Sequence, residues 1–265
     1  MKIKDLIQFL HEIAPSHLQE DYDNAGLITG HPNTEICGIV ICLDAIEAVI
    51  DEAIGLNCNV VVAHHPIVFR GLKRLNGTNY IERTIIKAIK NDIAIFAIHT
   101  NLDNVFLDGV NTKIAQKIGL YDTSILSPKP DMMHRDHQVG AGMIGRLPYP
   151  MSTTAFLDHL KDKMDLQTIK HTDLCKHVVS IVAVCGGSGS FLLQSAKNQG
   201  ADVFITSDYK YHEYFDADAD IIIADIGHYE SEKFTIDLIF DLIINKFSTF
   251  AAHCTKIITN PIKYY

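Results

Sequence analysis

Asn59-Val60-Val61-Val62-Ala63-His64-His65-Pro66 is the stretch that decides how this chain is read. Its unbroken apolar run reads as a buried strand. Pro66 cannot continue a ladder, so the chain turns there. Side chains alternate faces along a strand, so adjacent histidines would ordinarily point apart. At a strand end that turns, His64 and His65 can instead reach two points of one cleft, which is a way to serve a pair of metal ions.

Working outward, Ile3, Leu6, Ile7, Leu10 and Ile13 form a helical stripe over Ile3–Ala14, ended near Pro15. Asp21–Leu27 reads as a polar turn. A strand at Ile36–Leu43 and a helix at Ala45–Leu56 lead into the valine strand. Pro66–Asn79 reads as a loop with basic residues and glycines. A helix at Tyr80–Lys90 and a strand at Ile93–Ile98 follow, ending in His99-Thr100-Asn101-Leu102-Asp103. Val110–Ile118 is helical, and Ser127–His137, with two prolines, reads as a connection.

The second half repeats this grammar. Gly140–Gly145 reads as a strand, Thr153–Met164 as a helix, and strand Val178–Cys185 runs into Gly186-Gly187-Ser188-Gly189. Helix Phe191–Asn198, strand Asp202–Ile205, strand Ile221–Ala224, a long helix Glu230–Asn245 and a strand near Phe250–Cys254 complete it. Alternating elements predict an α/β fold with largely parallel pairing. Residues 52–65 and 193–208 echo one another as helix end, turn, short strand and polar terminus. The expectation is two related α/β lobes facing each other, 1–126 and 127–265.

Composition narrows the function classes. The 265 residues carry a formal net charge of −9 and no long basic stretch, which disfavours a nucleic-acid partner. Arg70, Lys73 and Arg74 form a local basic segment too short to change this. The six cysteines are scattered without a CxxC pair and several lie in apolar runs, which fits a reducing cytoplasm. No apolar run approaches membrane-spanning length, and the first residues lack a signal core.

In parallel α/β sheets, ligands bind beyond the carboxyl ends of strands. The polar tips gather there: Asp44, His64, His65, His99, Asp103, Asp208 and Asp225. Gly227-His228-Tyr229-Glu230-Ser231-Glu232 opens the long helix. His228 and Glu232 stand four apart and share a face that can converge on one ion. Asp103 could bridge two cations through its two oxygens. Three imidazoles and two carboxylates suit Zn, Mn, Fe, Co or Ni without choosing among them. Each motif alone has an ordinary reading, a solvated His–Glu pair or a capped turn; the case is their joint occurrence at strand ends and helix starts. Gly186–Gly189 is either a phosphate cradle without the lysine of a P-loop or a plain tight turn.

Asp23-Asn24-Ala25-Gly26-Leu27, Ala63-His64-His65-Pro66, His99-Thr100-Asn101-Leu102-Asp103, Ser207-Asp208 with His212, and Gly227-His228 with Ser231-Glu232 occur in this order. Together they make the chain resemble, over essentially its whole length, the GTP cyclohydrolase 1 type 2 family of Nif-three-like dinuclear metal proteins. The resemblance implies a two-lobed α/β protein with a dimetal centre between the lobes, commonly assembled as a toroidal homohexamer. It carries the metal-ligand roles onto His64, His65, Asp103, His228 and Glu232, and places His99 as a ligand or a near-site group. Two departures leave the ligands intact: Tyr22 stands where the family usually has Trp, and Ser207 where many members have Gly. There is no room for the middle insertion of longer members.

The implied activity is hydrolytic opening of the GTP imidazole ring, releasing formate toward dihydroneopterin triphosphate. His99, Asp208 and His212 are the candidates for proton transfer, two divalent cations the cofactors, and a small molecule such as a purine nucleotide the substrate. Two rival classes are a metal-binding regulatory or scaffold protein and a dimetal phosphoesterase or peptidase-like hydrolase.

Overall fold

The computed structural model describes residues 1–265. Elements follow in chain order as α1 (Ile3–Ile13), β1 (Gly26–Thr29), β2 (Ile39–Asp44), α2 (Glu47–Gly55), β3 (Val60–His65), α3 (Tyr80–Lys90), β4 (Ala94–Ala97), α4 (Thr100–Asp103) and α5 (Val110–Ile118). Then come β5 (Tyr121–His134), β6 (His137–Ser152), α6 (Thr153–Lys163), β7 (Lys170–His171), β8 (Val178–Ser188), α7 (Leu193–Asn198), β9 (Val203–Ser207) and β10 (Ile222–Asp225). The chain closes with α8 (His228–Glu232), α9 (Thr235–Lys246) and β11 (Ala252–Cys254). No helix is long and apolar enough to cross a membrane.

The chain forms two compact units, and they part differently from the expected division at residue 126. The first holds Met1–Leu102 with Thr235–Lys263, the second Asp103–Phe234 with Tyr264–Tyr265. The expected helix Glu230–Asn245 is accordingly two helices, α8 and α9, and their junction falls where the chain leaves the second unit for the first. Helical periodicity runs through the junction, so composition alone could not mark it.

The first unit is a five-stranded sheet ordered β1-β4-β3-β2-β11. Strands β11, β2, β3 and β4 are parallel, and β1 pairs antiparallel on β4. Strands β2, β3 and β4 are buried along almost their whole length, as expected where both faces are covered. On one face Val40, Cys42, Val61, Ala63 and Ile95 pack with Val49, Ile50 and Ala53 of α2 and Ile85 and Ala88 of α3. Each fully buried Val or Ile contributes about 1.5–3 kcal/mol. Elsewhere in the unit Phe96 meets the His11 ring of α1, and Phe9 of α1 meets Phe247 edge-on at 5.3 Å.

The second unit is a six-stranded mixed sheet ordered β5-β6-β8-β9-β10-β7. Its β8, β9 and β10 are parallel, with antiparallel neighbours on both sides. The segment read as a connection, Ser127–His137, is the tip of the β5–β6 hairpin. Arg135 and Asp136 form its two-residue turn, both at positive φ (52° and 63°), as the favoured hairpin turn requires. Pro128 and Pro130 suggested a loop, but β5 is an edge strand, where proline removes no ladder bond. The register also shifts between Pro128 and Met133.

The echo seen in the sequence extends through the topology. Order β1-β4-β3-β2 in one unit matches β7-β10-β9-β8 in the other. In each, three consecutive parallel strands are flanked by an earlier antiparallel strand on the third. The match aligns the tip of β3, His64-His65, with the tip of β9, Ser207-Asp208. It also aligns His99 and Asp103, after β4, with His228 and Glu232, after β10.

Candidate metal centre

In the first unit the donors stand at the carboxyl ends of β3 and β4. The rings of His64 and His65 lie 4.9 Å apart, and that of His99 lies 5.2 and 5.3 Å from them. One ligand nitrogen from each falls within 4.8 Å of the other two, close enough to hold a metal ion. His64 is fully buried. β3 ends at His65, immediately before Pro66, as the sequence predicts.

Each imidazole is oriented through Nδ1. That of His64 lies 2.8 Å from the Ile98 carbonyl oxygen, that of His65 2.8 Å from Asp44 Oδ1, and that of His99 2.8 Å from Asp23 Oδ1. A carbonyl or carboxylate oxygen only accepts, so Nδ1 carries the hydrogen and Nε2 keeps its lone pair. That is how histidines are prepared to ligate metals.

The acceptors are themselves held. Thr259 donates to Asp44 Oδ2 at 2.6 Å. Asp23 Oδ2 accepts from the Thr100 hydroxyl at 2.5 Å and its backbone N–H at 3.1 Å. Asn101 accepts from His99 N–H and donates to the Ala14 carbonyl. Burial works against the Asp23 carboxylate, but hydrogen bonds from His99 and Thr100 outweigh it and hold its pKa at about 2.

An Asp23→Ala protein, prepared metal-free, should lose about 2–4 kcal/mol at neutral pH, because the carboxylate's stabilisation goes and buried donors lose their acceptor. A carboxyl depressed below its ordinary 3.8 contributes above that value and ceases to as pH falls through about 2. The gap between wild-type and variant urea midpoints should therefore close between pH 4 and 2. A gap independent of pH would show that Asp23 is not an ionised acceptor.

In the second unit His228 opens α8 after Gly227, whose φ of +90° suits glycine. Its Nδ1 lies 2.6 Å from Asp208 Oδ2, and its Nε2 lies 3.1 Å from Glu232 Oε2, one turn on. The i, i+4 pairing expected from the sequence is thus present within the helix. Burial disfavours the imidazolium, yet Asp208 and Glu232 outweigh it and raise the pKa to about 11. Asp208 is held low in return, chiefly by its hydrogen bond from His228. Two carboxylates gripping one imidazole make a concentration of negative charge that a cation would meet. Asp103, closing α4, accepts from Asn111 Nδ2 through its carbonyl. Burial pushes the Cys185 thiol up, and the Asp103 and Glu232 carboxylates add to the shift.

The glycine run at the end of β8 is packing rather than cradle. The Gly186 N–H is given to Asn111 Oδ1 and the Gly187 N–H to Ser231 Oγ, each at 3.0 Å. A Cβ on Gly187 would lie 2.5 Å from Glu232 Oε1. Asp225 is buried and binds Lys170 Nζ at 2.7 Å, Tyr214 and the Gly227 N–H, so it shapes the turn into α8. His212 sits in an exposed 3-10 segment, its ring packed with those of Tyr211 and Phe215.

The sequence singles out the histidines, with Asp44 and Asp208 as strand-end tips and Glu232 on the helix, but gives Asn111 no role and Asp23 and Ser231 only a place in motifs. Asp23 lies far along the chain from His99. Its signal was its place in the Asp23–Leu27 motif, just ahead of β1.

An α/β scaffold with imidazoles and carboxylates at strand ends defines a candidate metal-binding protein. A model of the Duf34/NIF3 (NGG1p interacting factor 3) family matches residues 1–261, and the chain belongs to that family. A Clostridium acetobutylicum protein named GTP cyclohydrolase 1 type 2 homolog is 33% identical over 233 residues, 88% of this chain and 85% of its own. A Staphylococcus aureus hypothetical protein, SA1388, has a TM-score of 0.92 at 28% identity, covering 100% of this chain and 99% of that one. A Bacillus cereus protein related to NIF3 has a TM-score of 0.90 at 25% identity, with the same coverage.

Proposed function

We propose that this protein is a dinuclear-metal-dependent hydrolase whose ligands are His64, His65, Asp103, His228 and Glu232, with the GTP cyclohydrolase 1 type 2 reaction as its activity. The observation that carries the reading is the set of three clustered imidazoles, each with Nδ1 committed to a fixed acceptor. The mixed nitrogen and oxygen donors fit Zn, Mn, Fe, Co or Ni. Two such cations, when bound, lower the pKa of water enough for hydroxide to exist near neutral pH and polarise an electrophilic carbon.

The chain's own groups supply orientation and proton handling. Asp44 and Asp23 keep the His65 and His99 tautomers, and Asp208 orients the His228 ring through Nδ1. Proton transfer during ring opening falls to His99, Asp208 or His212. The curated relative's name, GTP cyclohydrolase 1 type 2 homolog, supports the substrate assignment. We also propose the cytoplasmic ring of six that the family resemblance implies. Light scattering should then give six times 29.5 kDa, and a monomer would refute the ring.

The decisive experiment incubates metal-reconstituted protein with GTP and follows formate and a fluorescent pterin after oxidation. Stoichiometric appearance of both supports the reading. Bound metal without either product refutes the cyclohydrolase and leaves the scaffold or another hydrolase.

A further inference from the structure

We propose that the loop between Pro66 and Asn79 is a phosphate-recognition strap, with Phe69 as the wall for a planar ring, so that the ligand taken at the histidine cluster is a phosphorylated heteroaromatic of the nucleotide class. This rests on the substrate-binding part of the proposed function and adds which residues would read the substrate.

Four observations carry it. First, the loop leaves directly from His64-His65, and the Phe69 ring stands edge-on to His99 at 5.6 Å. Phe69 is nevertheless 48% exposed, so part of the ring stays open to a ligand beside His99. Second, Arg70, Lys73 and Arg74 follow within five residues, all exposed. No hydrogen bond or ion pair engages any of the three.

Third, the chain as a whole carries a net charge of −9. Three uncompensated cations in one short loop therefore run against the overall field and mark a local anion preference. Fourth, the loop is tied at both ends while its middle is open. Asn24 Nδ2 donates to the Val68 carbonyl at 2.6 Å. Glu82 accepts from the Asn76 and Thr78 N–H groups, and Asn79 caps α3.

The chemistry follows from the order of these groups. A ligand held at the imidazoles has Phe69 beside it, next to His99, and the three cations follow Phe69 along the same exposed loop. Arginine pairs with phosphate oxygens in a bidentate manner, and an aromatic face stacks on a nucleobase irrespective of its identity. A polynucleotide is disfavoured, because three cations fall short of the six or more phosphate contacts typical of such binding.

The test is calorimetric titration of full-length protein with inorganic triphosphate, GTP and guanosine. Proteins compared are the wild type, R70Q/K73Q/R74Q, F69A, and K4Q/K90Q/K161Q, a control of equal charge change at exposed lysines elsewhere. The expected result is that the loop triple variant loses triphosphate and GTP affinity by tenfold or more while the control loses little. F69A should weaken GTP and guanosine several-fold and leave triphosphate unchanged.

Metal content, measured in parallel, should be the same in all four proteins. Equal triphosphate affinity in wild type and loop variant overturns the inference, as does no binding of any probe by the wild type. A steeply salt-dependent preference for a single-stranded oligonucleotide also overturns it. If GTP binds through the loop but yields no formate, the strap stands and the cyclohydrolase reading falls.

Discussion

A His64→Asn protein should fold as the wild type does, carry at least one metal ion fewer per chain, and lose turnover by more than about 100-fold. The choice of asparagine isolates the role of one nitrogen. Asparagine Nδ2 occupies the position of imidazole Nδ1, so the donor to the Ile98 carbonyl is kept. What disappears is Nε2, the atom that the hydrogen-bond pattern prepares for a cation. His64 is completely buried, so the smaller side chain leaves a void, and a destabilisation of about 1–3 kcal/mol is expected from that alone. Elemental analysis beside urea denaturation of the metal-free proteins separates the two effects. Unchanged metal content and turnover would remove His64 from the centre. A large loss of stability with normal metal content would make it a packing residue.

Much of this was legible in the chain, for identifiable reasons. The parallel core of the first unit was readable because β2, β3 and β4 are apolar without alternation, which only a doubly covered sheet tolerates. Helices α3 and α5 were bounded correctly, since Asn79 caps one and Gly119 in the left-handed region ends the other. The hairpin of β5 and β6 was hidden by prolines that an edge strand permits. The return of α9 and β11 to the first sheet was hidden because pairing of β11 with β2 joins residues far apart along the chain, and no local pattern records that. Among the site residues, the histidines announced themselves by type and spacing. Asp44 was visible as a strand-end tip and Asp23 as part of a motif, but their pairing with His65 and His99, and the Thr259 hydroxyl behind Asp44, come only from where the fold puts them.

Gly187→Ala is expected to cost about 2–4 kcal/mol and to lower metal occupancy together with stability. The residue has φ +63°, a conformation that costs an L-residue roughly 1–2 kcal/mol. The larger difficulty is space. The added methyl would lie 2.5 Å from Glu232 Oε1 and 3.3 Å from a His228 ring carbon. Glu232 is almost wholly buried and paired with His228, so it can yield only by swinging its carboxylate out of the position that faces the imidazole. Strain and displacement of a proposed metal ligand therefore arrive together. Gly55→Ala is the matching control: it closes α2, has open space around it, and should be neutral or stabilising by up to about 1 kcal/mol. Thermal denaturation and elemental analysis of the two variants read both quantities. If Gly187→Ala keeps its full metal content, the close approach of β8 to Glu232 is a matter of packing only, and the glycine run has no part in shaping the centre.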